Sequence, residues 1–175
     1  MTMVKEYPKL ETDRTILRVL TQNDAKEVLK HFSDPVVTRF MDIEPCKDLN
    51  EAEEIIQYHV DDLGYRWGIV EKVHGGFIGT IGFHYLRQTD EKKIIAEIGF
   101  DLSKGYWGKG YMTEVIKAVI LFGFTRMGLD VIDATVEPNN EKSIKIMEKF
   151  GFKRDVELRE QLLYYSLHRL DNKPI

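Results

Sequence analysis

Between Tyr106 and Val115 the chain reads YWGKGYMTEV. Gly108 and Gly110 lack a Cβ, so the backbone can turn sharply there and bring successive N–H groups up to an anion; the helix expected behind them adds unpaired donors and partial positive charge. Lys109 adds a full charge. That chemistry suits a phosphate or pyrophosphate held mainly by main-chain amides. A tight strand-to-helix turn with no ligand is the other reading, because two glycines near a helix start are a weak signal. Two familiar phosphate loops do not fit. No glycine is followed by Lys-Ser or Lys-Thr in the frame of G-x-x-x-x-G-K-[ST], so a P-loop is absent. A dinucleotide fingerprint started from Gly108 and Gly110 meets Thr113 at its third glycine position, and only Glu137, near the end of the next strand, speaks for it.

Other reactive residue types carry less. His31, His59, His74, His84 and His168 show no metal-ligand spacing, so no metal site is expected. His84 reads as a partly exposed strand residue. Tyr164 and Tyr165 fall on opposite faces of the last strand, one free to line an acceptor cleft and one belonging to the core. Trp67 reads as core, and Glu51, Glu53 and Glu54 as a solvated helix face able to attract a cationic amine.

The elements that must position these residues follow from periodicity. Thr15 to Leu20 alternates like a strand, and Thr21 to Asp24 offers caps for a helix to about Phe32, which Asp34-Pro35 interrupts. After an irregular stretch, Asp48 to Asn50 starts a second helix with Ala52, Ile55, Ile56, His59, Val60 and Leu63 at helical spacing until Gly64. Strands are expected over 65–73 and 77–86 around the hairpin His74-Gly75-Gly76, and a third over 93–102. The glycine segment then opens a helix with the stripe Ile116, Val119, Ile120, Gly123, Phe124 and Met127, closed by Gly128. A strand over 131–136 completes a βαβ unit with parallel strands. Pro138 to Asn140 starts a short helix to about Phe150, and the tail reads as two strands around Glu157 to Glu160. The expected fold is α/β, a mixed, mostly antiparallel sheet in a single domain over 1–175. In such a βαβ unit the loop after the first strand lies at the carboxyl edge of the sheet, where ligands usually bind.

Composition narrows the partners. A chain of 175 residues with a formal net charge of −4 gives no support for nucleic-acid binding by phosphate neutralisation. With one cysteine, Cys46, no intrachain disulfide forms. The N-terminal stretch MTMVKEYPKL lacks the apolar core of a signal peptide, and no apolar run approaches the length of a membrane span. A cytoplasmic protein is expected.

Trp107 to Met112 resembles the coenzyme A loop of the GCN5-related N-acetyltransferases, and YWGKGYMTEV is particularly similar to the ribosomal-protein-alanine acetyltransferase branch. The similarity extends to Ala96 to Leu102, Phe77 to Gly82 and Asn140 to Phe152, in the family's order. Three positions depart from the common pattern: Trp107 replaces Gln or Arg, Met112 replaces Gly or Ala, and Met147 stands where a related branch has a tyrosine proposed to protonate the leaving thiolate. That tyrosine's role does not pass to Met147.

The resemblance implies the family fold, with the βαβ unit forming a coenzyme A cleft, and acetyl transfer from acetyl-CoA to a primary amine. The acceptor it implies is a protein N-terminus; a small amine such as a polyamine, and a non-catalytic acyl-CoA-binding module, remain open, as does a homodimer. Phe100 and Leu102 match positions whose main chain would bond the pantetheine. Trp107, Gly108, Lys109, Gly110, Tyr111, Met112 and Thr113 would hold the pyrophosphate, with Met112 turned to the core. Glu97, on the strand before the loop, is the candidate base, its pKa expected to rise through burial, against the reading of a solvated strand glutamate. Asn140 is a cofactor contact, a helix cap or both. Ser143, one turn into that helix, either returns a proton to the thiolate or is a surface serine.

Overall fold

The computed structural model describes residues 8–62 and 64–172. Among them lie β1 (Leu10–Glu11), β2 (Thr15–Arg18), α1 (Ala25–Phe32), α2 (Pro35–Thr38), α3 (Leu49–Asp61), β3 (Tyr65–Glu71), β4 (Phe77–Gln88) and β5 (Ile94–Leu102). Then come α4 (Tyr111–Thr125), β6 (Val131–Val136), α5 (Glu141–Lys149), β7 (Lys153–Arg154) and β8 (Leu163–His168). The strand order is β1-β2-β3-β4-β5-β6-β8-β7. β5 and β6 are parallel, whereas β1–β2, β2–β3, β6–β8 and β7–β8 are antiparallel. The mixed sheet expected from the sequence is present. Two compact units divide the chain: one runs to Gly82 and includes Phe100–Ala118, the other comprises Phe83–Gly99 and the chain from Val119 onward.

In the first unit, α1 and α3 pack on each other around Leu20, Ala25, Val28, Phe32, Ala52, Ile56 and Phe77. The entry to α1 is set by Asp24, whose carboxylate accepts the Thr21 N–H at 2.8 Å and the Arg18 guanidinium at 2.8 and 2.9 Å. Asp34-Pro35 ends α1 as expected, yet it also starts a helix. The Asp34 carboxylate accepts from the Val36 N–H at 2.9 Å and proline occupies the first turn, so α2 forms where the sequence reads as irregular. Asp48 caps α3 by accepting from the Glu51 N–H at 2.8 Å. That helix stops at Asp61 rather than Gly64, and Val60 at the end of its apolar stripe is exposed.

The second unit is built on the β6–β8 ladder, registered from Val131↔His168 to Val136↔Leu163. β6 buries Val131, Ile132, Asp133, Ala134 and Val136, so an acid sits in the middle of an otherwise apolar strand. Asn140 caps α5, and Gly151 takes the left-handed backbone, φ 78°, that closes it.

Leu63, read as part of the α3 stripe, and the N-terminal segment to Tyr7, part of the stretch read as lacking a signal-peptide core, lie outside the described residues. No helix among the described residues is long and apolar enough to cross a membrane.

Candidate active site

The glycine segment belongs to the first unit. After β5 a single 3-10 turn, Lys104–Tyr106, leads into it, and Gly108 and Gly110 have φ of 71° and 81° before α4 begins at Tyr111. Both glycines therefore occupy backbone conformations that a side chain disfavours, as a loop presenting its amides requires. Arg14, just before β2, braces this loop. Its Nη1 donates to the Lys109 carbonyl at 3.0 Å, and the guanidinium lies 4.0 Å from the centre of the Tyr111 ring. Its Nε and main-chain N–H both donate to Glu114 in the first turn of α4, each at 3.1 Å, and the Thr12 hydroxyl donates there at 2.5 Å. Burial raises the Glu114 pKa, but the bonds from Thr12 and Arg14 outweigh it and the group lies below its usual range.

Two of the expected loop contacts have local structural work. The Trp107 indole N–H donates to the Leu102 carbonyl at 2.7 Å, tying the loop to the end of β5, and Met112 is buried as packing. Phe100, Tyr111 and Thr113 are half-buried, while Gly108, Lys109 and Gly110 are exposed. In the same unit, buried His31 bridges Ser103 and Asp101, each at 2.6 Å, and Asp101 also accepts from the Thr80 N–H at 3.0 Å and hydroxyl at 2.5 Å. These bonds fix the strand end from which the loop departs.

Glu97, Asn140 and Ser143 belong to the second unit. The β5–β6 register runs from Ile95↔Val131 to Glu97↔Asp133, so Glu97 and Asp133 are parallel partners at the last registered position. Glu97 Oε1 accepts from His84 Nε2 at 3.1 Å and from the Thr135 hydroxyl at 3.3 Å. Asp133 Oδ2 accepts from Arg87 Nη2 and from the Tyr164 hydroxyl, the latter at 2.7 Å, while Oδ1 is buried with no hydrogen-bond partner among the described residues. Two carboxylates, a histidine, an arginine and a tyrosine thus share one face.

A regular strand would put His84 and Arg87, three residues apart, on opposite faces. Tyr85 between them has a left-handed backbone, φ 51°, and this kink turns both side chains toward the same pair of acids. The expected rise in the Glu97 pKa does not occur. Burial pushes it up, but the hydrogen bond and charge of His84, with Thr135 and Arg87, outweigh burial and hold the carboxyl below its usual range. Tyr164 is pushed up to about 12 by burial and by its bond to Asp133.

The Asn140 side chain accepts from the Ser143 N–H at 3.3 Å, so the cap role is present. The Ser143 hydroxyl makes no hydrogen bond among the described residues, and none joins Ser143 to Glu97. Met147 is fully buried. Tyr165 is core, 1% exposed, and Tyr164 points to the acids, as the opposite-face reading anticipates. Sequence reasoning missed Arg14, Arg87 and Asp133 and undervalued His84. Of these only Asp133 carried a local signal, an acid among the apolar residues of β6.

The acetyltransferase (GNAT) domain family matches residues 14–153. The chain is 38% identical over 160 residues to the uncharacterized N-acetyltransferase YoaA of Bacillus subtilis, covering 89% of each chain. It is 27% identical over 155 residues to spermidine N(1)-acetyltransferase of Escherichia coli, covering 87% of this chain and 80% of that one. The fold is shared with ribosomal-protein-S5-alanine acetyltransferase from Vibrio fischeri, with a TM-score of 0.73 at 21% identity over 96% of this chain and 100% of that one.

Proposed function

The chain belongs to the GNAT acetyltransferase family and is an N-acetyltransferase, and we propose that it moves an acetyl group from acetyl-CoA to a primary amine. The observation that carries this reading is Glu97, held by His84 and Thr135 at the last registered position of the β5–β6 pair. Acetyl transfer needs a neutral amine, and a hydrogen-bonded carboxylate with a histidine beside it supplies proton-handling groups. In this proposal the main chain of Phe100 and Leu102 bonds the pantetheine. The amides from Trp107 to Thr113 hold the pyrophosphate, with Asn140 beside the cofactor. Glu97 serves proton removal and Ser143 reaches the departing sulfur.

The acceptor we favour is a protein N-terminal amine, supported by the similarity of YWGKGYMTEV to the ribosomal-protein-alanine branch. A polyamine is the second reading, favoured by the identity with spermidine N(1)-acetyltransferase. Thiol release from acetyl-CoA is measured across alanine-terminated peptides, other N-terminal peptides, spermidine, amino sugars and amino acids. Faster turnover of the peptides supports the first acceptor and of spermidine the second. Acetyl-CoA binding with no thiol release for any amine would leave a binding module and defeat the catalytic reading.

A further inference from the structure

We propose that His84 is the group that accepts the proton of the attacking amine and that Glu97 orients it, an assignment that rests on the acetyltransferase reading above. An ionised carboxylate only accepts, so in the 3.1 Å contact His84 Nε2 carries the hydrogen and Glu97 Oε1 receives it. Nδ1 then holds the lone pair, and it has no hydrogen-bond partner among the described residues.

That edge of the ring lies against Gly99 of β5, and the His84 side chain keeps 29% of its surface exposed. A Cβ built on Gly99 would lie 3.0 Å from His84 Cε1 and 3.5 Å from Nδ1, so the missing side chain leaves the space into which the ring edge projects. Gly99 is the next residue after Glu97 on the same face of β5, just past the last registered pair with β6. Glu97, the His84 ring and Gly99 therefore lie together on one face.

The charges around His84 favour this division of labour. Glu97 from β5 and its register partner Asp133 from β6 are the acids, Arg87 from β4 bonds Asp133, and Tyr164 from β8 donates to Asp133. Arg87 and Tyr164 thus engage Asp133, while Glu97 is left to balance an imidazolium. The depressed pKa of Glu97 makes it a weak base for an amine but a good partner for a cation. The kink at Tyr85, φ 51°, keeps His84 and Arg87 on the same face, and a bulky residue held left-handed marks a place where the fold sustains strain.

In the step itself, one proton passes from the ammonium nitrogen of the acceptor to His84 Nδ1, directly or through one water. The neutral amine forms the N–C bond and the thioester C–S bond breaks. The nitrogen sheds its second proton as the amide forms, the sulfur takes one up, and His84 returns its proton to solvent.

The test uses the full chain with acetyl-CoA and whichever of spermidine or an alanine-terminated peptide the parent acetylates. H84Q keeps a donor toward Glu97 but presents no basic nitrogen; it should bind acetyl-CoA as the parent does and lose about 10²–10⁴-fold in kcat. H84A should regain activity with added imidazoles, the rescued rate rising with the pKa of the imidazole supplied. E97Q should keep the acid limb of the pH–rate profile, whereas H84Q should lose that limb. An unchanged rate in H84Q, a rescue indifferent to imidazole pKa, or loss of the limb in E97Q with its retention in H84Q would each overturn the assignment. A parent that releases no thiol with any amine defeats the acetyltransferase reading and this one with it; an active parent with any of those three outcomes defeats this one alone.

Discussion

Arg14 Nη1 donates to the Lys109 carbonyl at 3.0 Å, joining the turn before β2 to the centre of the glycine segment. With Nε on Glu114 at 3.1 Å, the guanidinium is held at both ends, and Nη2 lies 3.5 Å from where a Cβ on Gly110 would stand. One residue therefore sets the loop's path.

R14Q should raise KM for acetyl-CoA while kcat with saturating donor stays close to the parent's. The loss should be about 3- to 10-fold, since the bond is partly solvent-screened. The deficit should vanish with acetyl-pantetheine, which lacks the pyrophosphate. Equal deficits with both donors would make Arg14 a general structural brace.

Acetyl-CoA should raise the Tm at concentrations where NAD does not, because a ligand that binds only the folded state stabilises it by mass action. G110V should abolish that shift with the fold largely kept. Gly110 sits at φ 81°, where valine is strained, and the added side chain crowds the amides that would meet a phosphate. Thermal shift assays of both proteins with both ligands decide the matter; equal shifts with the two ligands would sink the coenzyme A assignment.

Y164F should leave the shape of the pH–rate profile intact. The hydroxyl, pushed up to about 12, stays protonated at working pH and donates to Asp133. Its removal strips one donor from a buried carboxylate, for a stability loss of about 1–3 kcal/mol measurable by urea denaturation. A displaced acid limb would instead put Tyr164 in the proton path.

D24N should destabilise the protein at neutral pH by about 1.5–3 kcal/mol, the worth of a hydrogen bond to a charged group. The Arg18 hydrogen bond holds the Asp24 carboxyl below its ordinary range, with burial opposing it and the Thr21 N–H assisting. A depressed folded-state pKa means the stabilisation is present above the unfolded value, about 3.9, and is lost as pH falls through the folded one. The gap between parent and D24N in urea unfolding should therefore close below about pH 4. A gap independent of pH would mean packing rather than charge is responsible.

The features legible along the chain are local. Gly108, Gly110, Gly128 and Gly151 were legible because a left-handed backbone is a preference of the residue itself, and all four have positive φ. Asp48 and Asn140 were legible as caps because the amides they accept are three residues away. The tertiary structure decided the partners. Arg14 and Glu114 are 100 residues apart and Arg87 and Asp133 are 46, and no periodicity in the chain links them. His84 and Arg87 share a face only because Tyr85 takes a left-handed backbone, which strand alternation does not anticipate. The direction of the Glu97 pKa turned on the same point: burial alone raises it, and only the register of β5 and β6 with the kink in β4 supplies the groups that lower it. Backbone preferences act over a few residues and can be read along the chain, whereas the field at a carboxylate is summed over whatever the folded strands bring within a few ångströms.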